Sequence, residues 1–454
     1  MLITYDSKKK NKTPRTMITK IIHQIWNERK QNAWLFLELI VASLFLWLAI
    51  DPLFTLVCRG NLPKGYTPEK VYRVKYDAYI TDPTSGYQND ENSKKEFLAQ
   101  LEDAFDNIPE IECSFIGQCE LCPNPNGYSA TMVAIPNDLP DSLTDWKGAR
   151  IFNITTTDKS RFFETLRAID VKSGKLLQQA DYAGNDGAYL SRRQAMALFG
   201  TTDVVGKKFI NVHHDSFTIL GVFEDFQLLN YDEYTPIVLF CNNNIDKHTF
   251  HDEIYFRLKD SADEDEFKKK FENEIMPKYN LGVYHIAGLE SYMERIEEQD
   301  KQYNISNKYR LYAGLSGFAL FCAFLGVFSA FWIRTNSRRR DIGIMRSVGA
   351  TKGRVVGMFV TEAMILVTVA FIVSMPLIAH YIYVDGFAEP LANVPTWIRD
   401  SEEPDQSYLH NRAVPHFAIV TAVAYMLISA IAIAGALLPS IRITRSLPAD
   451  ALRE

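Results

Sequence analysis

The chain has 454 residues, 23% of them charged, with a net charge of −6 and six cysteines. That length suggests two or three domains. The charge balance, with every basic cluster beside an apolar run, argues against a nucleic-acid-binding surface. A lone Cys-x2-Cys, Cys119–Cys122, with no second pair at finger spacing argues against a zinc framework.

Residues 1–32 open with Lys8, Lys9, Lys10 and Lys12 and then turn amphipathic, with Ile18, Ile21, Ile22, Ile25 and Trp26 at helical spacing. This reads as a helix end at a membrane interface, with a partner-docking helix as the alternative. Residues 33–57 are apolar apart from Glu38 and Asp51, which bracket the run and are assigned to the interfaces. At about 1.5 Å per residue the run spans a hydrocarbon core of about 30 Å. The basic lead is long and no Ala-x-Ala site precedes Cys58, so a retained first membrane helix is expected rather than a cleaved signal.

Residues 58–310 contain nothing apolar enough to span, and the positive-inside rule places them outside the cytoplasm as one α+β domain. Tyr72, Val74, Tyr76, Ala78 and Ile80 alternate with Arg73, Lys75 and Asp77, the period-two pattern of a half-buried strand. Phe97, Leu98, Leu101, Phe105 and Ile108 mark a helix face, and a strand follows from Ile111. The same order returns with alternating Ile254, Phe256 and Leu258, a helix on Phe267, Phe271 and Ile275, and a strand over 283–287. Two β-α-β units are thus expected to bracket the domain, a repeat of pattern rather than identity. Between them Ser191 caps a short helix stopped by Gly200, and 208–212 and 217–223 form a hairpin around His213-His214-Asp215.

Further spans are expected at 311–333, 355–384 and 413–438, joined by a basic loop at 334–354 and a Pro-containing acidic outer loop at 385–412. A cytoplasmic tail occupies 439–454. The loop carries Arg334, Arg338, Arg339, Arg340, Arg346, Lys352 and Arg354 against one acid, Asp341. Ile342, Ile344, Met345 and Val348 are interleaved with these charges, as in an amphipathic helix on the inner membrane face. Glu362 is the only acid inside the third span. A mid-bilayer charge costs about 2.5–3.5 kcal/mol on insertion scales, so it is expected to face protein or to snorkel inward. The fold class is therefore four membrane helices plus a large extracytosolic α+β domain with repeated β-α-β units.

The segment RRRDIGIMRSVGATKGRVVGMFVTEAMIL resembles the cytoplasmic coupling segment of MacB/FtsX-like ABC transporter permeases, with Asp341 where Glu is commoner and Ser347 where Ala is common. YLSRRQAMALFGTTDVVGKKFINVHHDSFTILGVFEDF resembles the periplasmic core domain of that family, and PSIRITRSLPADALRE its terminal pattern. The resemblance implies a permease subunit that passes motion from a separate cytoplasmic ATPase to a periplasmic domain, driving export or extraction of a substrate. Coupling residues are then expected at Arg338, Arg339, Arg340, Asp341, Ile342, Gly343, Ile344, Met345, Arg346, Gly349, Ala350, Thr351 and Glu362. It also implies ATP and magnesium in the partner subunit, a second permease copy or related permease, and a bacterial inner-membrane location. Lipid contacts and a periplasmic or outer-membrane partner fit the same scheme, and no nucleic acid does.

No motif supports an enzyme. Gly200–Lys208 has five residues between its glycines, ends in Lys208 where a magnesium-holding Ser or Thr belongs, and follows a helix; a tight turn accounts for it better than a phosphate cradle. His213-His214-Asp215 and His248-x-x-His251-Asp252 lack the flanking ligands of a metal site and read as polar turns. Cys113, Cys119, Cys122 and Cys241 are candidate disulfide cysteines, with the pairing open and free buried thiols as the alternative. A membrane sensor or scaffold without transport would share this topology.

Overall fold

A computed structural model of the chain describes residues 23, 25–27, 29–78, 91–118, 130–136, 146–154, 160–180, 182, 184–228, 230–231, 234–241, 253–281, 284–302, 304–387 and 412–445. Ile18, Ile21, Ile22, Cys119, Cys122, His248, His251, Asp252, the loop 388–411 and residues 446–454 lie outside them. The chain divides into a helical unit (up to Thr55, Lys308–Pro390 and from Arg412) and a mixed unit built on Leu56–Asn307.

In the mixed unit, β1 (Val71–Ala78), α2 (Glu91–Phe105) and β2 (Ile111–Gln118) form the first expected repeat. They follow α1 (Arg29–Gly60) in the chain. The second repeat is β9 (Glu253–Leu258), α5 (Glu264–Lys270, running on as a π-turn over Phe271–Ile275) and β11 (Tyr284–Ser291), with the short β10 (Asn280–Leu281) beside it. The repeats interleave: β9 runs antiparallel between β1 and β2, and β1 antiparallel between β9 and β11. Neither repeat is a sheet alone; each is a split β-α-β whose gap the other fills. Alternation sends Tyr72, Val74, Ile254, Phe256 and Leu258 to one face, where Phe97, Leu101 and Phe105 of α2 and Phe267 and Phe271 of the second helix cover them. Each such side chain contributes about 1.5–3 kcal/mol on full burial.

The sheet continues through β4 (Lys147–Ile154), β3 (Ala130–Ala134), β6 (Lys208–Asn211), β7 (Ser216–Phe223), β5 (Gly187–Ser191) and β8 (Ile237–Cys241). There β8 pairs in parallel with β4, Arg150 to Ile237 through Ile154 to Cys241, so these six strands close on themselves. Closure removes both sheet edges from this half. The helix α4 (Arg192–Phe199) is capped as expected: Ser191 Oγ accepts from Gln194 N at 3.2 Å, and Gly200 ends it at φ 65. The Gly200–Lys208 stretch is a turn before β6, with Gly206 N donating to Ile219 O at 2.8 Å. His213–Asp215 turn the β6–β7 hairpin, held by Asn211 Oδ1. Opposite the α2 and α5 face, α3 (Phe162–Leu166) and α6 (Tyr292–Gln302) pack Phe162, Phe163, Leu166, Tyr292 and Ile296 with Phe115, Tyr189 and Tyr255.

The helical unit holds four helices long and apolar enough to cross a membrane: α1, α7 (Ile305–Ser337), α9 (Lys352–Asp385) and α10 (Ala413–Arg445). Each outruns its expected span by residues at one or both ends, because polar termini extend a helix beyond its apolar stretch. Ala363, Ala370, Ala424, Ala432 and Ala436 are buried among Leu366, Val367, Phe371, Val420 and Ile428. Small residues let such helices approach closely.

Candidate functional site at the basic end of the helical unit

Between α7 and α9 the basic loop folds as α8 (Arg339–Ser347). Its amphipathic sequence decides which way it faces. Ile342 and Gly343 are buried and Ile342 joins the core of the helical unit, with Met345 and Ala350 partly buried against it. The opposite face carries Arg340, Asp341 and Ile344, with Ser347 and Val348 after it, all exposed. Ile344 is 47% exposed and Val348 83%, an apolar pair one turn apart that the fold leaves uncovered. The expected Asp-Ile-Gly-Ile docking surface is therefore divided, with Asp341 and Ile344 outward and Ile342 and Gly343 inward.

A tight turn closes the loop. Ala350 N donates to Met345 O at 2.9 Å, Gly349 sits at φ +97, and the Thr351 hydroxyl accepts from Arg354 N to start α9. Gly is the residue that adopts that φ without strain.

Three arginines point back into the helices. Arg334 NH1 lies 2.5 Å and Arg338 NH1 3.4 Å from the two oxygens of Glu362, whose side chain is 2% exposed. Glu362 neither snorkels nor pairs with nearby Arg354; it ties the end of α7 to the first turns of α9. Two guanidinium groups beside a buried acid supply the hydrogen bonds and opposite charge that such a site requires. Arg346 NH1 donates to Thr444 O of α10 at 2.9 Å, satisfying a carbonyl near that helix's end. Arg442 lies 5.0 Å over the Trp332 ring, joining α10 to α7. The short helix is thereby fastened to three spans, while one face stays open.

At the opposite end, Asp51 and His416 were not legible as a pair. Asp51 is buried against protein, with Oδ1 2.7 Å from Nε2 of the buried His416, whose ring lies between those of Phe54 and Phe387. One turn deeper, Trp47 Nε1 donates to Thr421 Oγ1 at 3.1 Å. The only hint in the chain was that both residues stand near the same boundary of their spans.

In the mixed unit a cleft of about 730 Å³ opens beside β2 and α3. Arg161, Arg167 and Lys175 line it together with Asp106, Glu112 and Glu164. Cys113 on its floor is pushed up to about 11 by burial and accepts the Thr165 hydroxyl at 3.3 Å, so it stays protonated near neutrality. Of the four candidate disulfide cysteines, Cys119 and Cys122 lie outside the described residues, whereas Cys113 stands on β2 and Cys241 on β8. Each lies on an interior strand of the sheet, where neighbouring strands keep the two apart. Among the described residues no cluster of His, Cys, Asp or Glu could hold a metal.

The family description "FtsX-like permease C-terminal" matches residues 313–448, and "MacB-like periplasmic core domain" matches 132–274. A Bacillus subtilis (strain 168) protein, the uncharacterized ABC transporter permease YknZ, is 23% identical over 281 residues, 56% of this chain and 68% of that protein. Among solved structures, the periplasmic region of MacB from Actinobacillus actinomycetemcomitans aligns at 15% identity over 52% of this chain and 94% of its own, TM-score 0.32. The extracellular domain of the noncanonic ABC-type transporter YknZ from Gram-positive bacteria aligns at 11% over 48% and 100%, TM-score 0.29.

Proposed function

The chain belongs to the MacB/FtsX-like permeases of ABC transporters, and from that premise we propose that it is the mechanical link between a cytoplasmic ATPase and an extracytosolic domain. The observation that carries this reading is the two-sided coupling helix. Its outer face offers Arg340, Ile344 and Val348 to a partner, while Ile342 and Arg346 fasten the other face to the spans. A protein pressing on the open face moves α7, α9 and α10 together, because the polar ties to Glu362 and Thr444 resist slippage. Asp51–His416 then joins α10 to α1, the helix from which the outer domain continues.

ATP and magnesium belong to the partner subunit in this scheme. The permease works as a pair, with a second copy or a related chain, in a bacterial inner membrane. The outer domain acts on the exported or extracted substrate, alone or with a periplasmic or outer-membrane partner.

Co-purification from detergent tests the reading and divides the face from its ties. Ile344→Asp places an acid where the partner's apolar contact is expected and lowers recovery of the ATPase by about tenfold, on the order of 1.4 kcal/mol. Arg346→Gln leaves recovery unchanged, since Arg346 faces Thr444, but separates ATP turnover from movement of the outer domain. Equal ATPase recovery with Ile344→Asp, or none with the unaltered chain, turns the reading toward a sensor without transport.

A further inference from the structure

A second site lies within the helical unit, in a groove of about 380 Å³ between α1 and α7. Leu37, Val41 and Phe45 of one helix and Phe318 of the other line it, all exposed. Glu38 is the single titratable carboxylate on this apolar surface. Among the described residues it has no ion pair or hydrogen bond, unlike Glu362 and Asp51. Its seat is shaped by Gly326, where a Cβ would overlap the carboxylate. Room has been left between the helices for this group, yet nothing in the chain neutralises it.

We infer that the groove takes a single-chain cationic amphiphile of the alkylammonium class, its head at Glu38 and its tail along Val41, Phe45 and Phe318. Three features select that chemistry. Glu38 lies five residues into the apolar run, about 8 Å, at the end of the span that shares its side with the basic loop. An ammonium is therefore held where headgroup meets hydrocarbon, and Trp34, one helical turn away and exposed, lines the same groove. From Glu38 to Phe45 is about 10 Å along α1, and from Gly326 to Phe318 about 12 Å along α7. The two walls thus run parallel from the carboxylate toward the bilayer centre, as one alkyl chain requires. The other occupants fit less well. Hydrocarbon alone leaves a polar carboxyl group with neither a counter-charge nor a hydrogen-bond partner, which is costly in a bilayer. A second copy docked through this face would meet it in an isologous contact that brings one Glu38 toward the other, and like charges in an apolar seat repel.

The test uses the full chain in phosphatidylcholine nanodiscs, with dodecylamine carrying a photoreactive diazirine at the far end of its tail. The matched dodecyl alcohol serves as the neutral probe. Labelling is expected at Val41–Phe45 or Phe318–Ala323, at least tenfold stronger with the amine than with the alcohol, and displaced by unmodified dodecylamine. Glu38→Gln removes the preference for the amine and Glu38→Asp keeps most of it. Equal labelling by amine and alcohol in the unaltered chain overturns the proposal without recourse to any variant. So does absence of labelling accompanied by efficient cross-linking through Cys322, a groove residue, which would give the groove to a contact between permease chains.

Discussion

The mixed unit and the helical unit use buried polar groups in opposite ways. In the mixed unit such groups sit within strands and tie neighbouring segments to the sheet. Arg257 of β9, 1% exposed, donates to the carbonyls of Thr165 (2.5 Å), Glu69 (2.9 Å) and Thr67. Glu290 of β11 gathers Arg73, Lys75 and Arg295. In the helical unit the polar ties stand near helix ends, Glu362 with Arg334 and Arg338 at one end and Asp51 with His416 at the other, and the middle is apolar. The difference follows from solvent. A water-facing domain gains specificity from internal polar anchors, whereas in a bilayer every charge moved toward the centre costs more. A helical unit tied only near its ends is also one whose helices tilt as rods, which suits transmission of force.

The largest break in this contrast is expected at Arg257. Arg257→Ala strips three carbonyls of their donor and opens a cavity beneath α3, destabilising the mixed unit by about 4 kcal/mol or more. Denaturant titration followed by intrinsic fluorescence should show an early transition for the mixed unit alone, with the helical unit unchanged. A matching loss in both units would mean that they are not held independently.

Next comes Glu362→Gln, which removes the carboxylate that Arg334 and Arg338 share at a cost of about 3 kcal/mol. The helical unit is expected to retain its helices by circular dichroism while ATP turnover no longer moves the outer domain. Glu362→Asp, a shorter acid, should recover part of the coupling. If the glutamine variant couples normally, the tie is structural only.

Acid sharpens the comparison further. Burial pushes the Glu290 carboxyl up, but the hydrogen bond from Lys75 and the charges of Arg73, Lys75 and Arg295 outweigh it, so the group lies below its ordinary value. A depressed folded-state value gives stability that is complete above the ordinary glutamate range and is lost as pH falls through the depressed value. The mixed unit should therefore hold its unfolding midpoint from neutrality to about pH 5 and weaken below it. Glu290→Gln should cost about 2 kcal/mol at neutral pH and flatten the acid slope. An unchanged slope would assign acid sensitivity to other carboxylates.

The two units were also unequally legible. Period-two alternation at Tyr72–Ala78 and Ile254–Leu258, and the four-residue spacing of Phe267, Phe271 and Ile275, announced the strands and helices of the repeats. Their interleaving did not show, because alternation reports which face is buried and says nothing about which strand lies alongside. Closure through β4 and β8 was hidden for the same reason, since the paired stretches lie over 80 residues apart. In the coupling segment, sequence marked Glu362 as an anomaly and α8 as amphipathic. It did not tell which arginines turn inward, because Arg334, Arg338 and Arg340 fall either side of a helix break that the run of charges does not mark. The partner of Asp51 did not show either: a charge at the edge of a span reads as interfacial, and alternation or spacing says nothing of a histidine on another helix opposite it.

The smallest effect expected is at Gly349, and it bears most directly on whether α8 moves as a rigid part of the helical unit. No atom lies within 4 Å of where a Cβ would stand, so alanine is not excluded by crowding. The φ of +97 is the obstacle, a conformation that costs an alanine on the order of 1 kcal/mol. That is roughly a fivefold loss in the population of the tight turn, which would free α8 to swing while Ile344 and Val348 still engage the ATPase. Gly349→Ala is therefore expected to keep ATPase recovery and to lower coupled movement a few-fold. Gly349→Asn should lose less, because asparagine tolerates positive φ better than alanine. Should alanine and asparagine both behave as the unaltered chain, the turn does not set the angle of α8, and Arg346–Thr444 with the buried Ile342 must hold it alone.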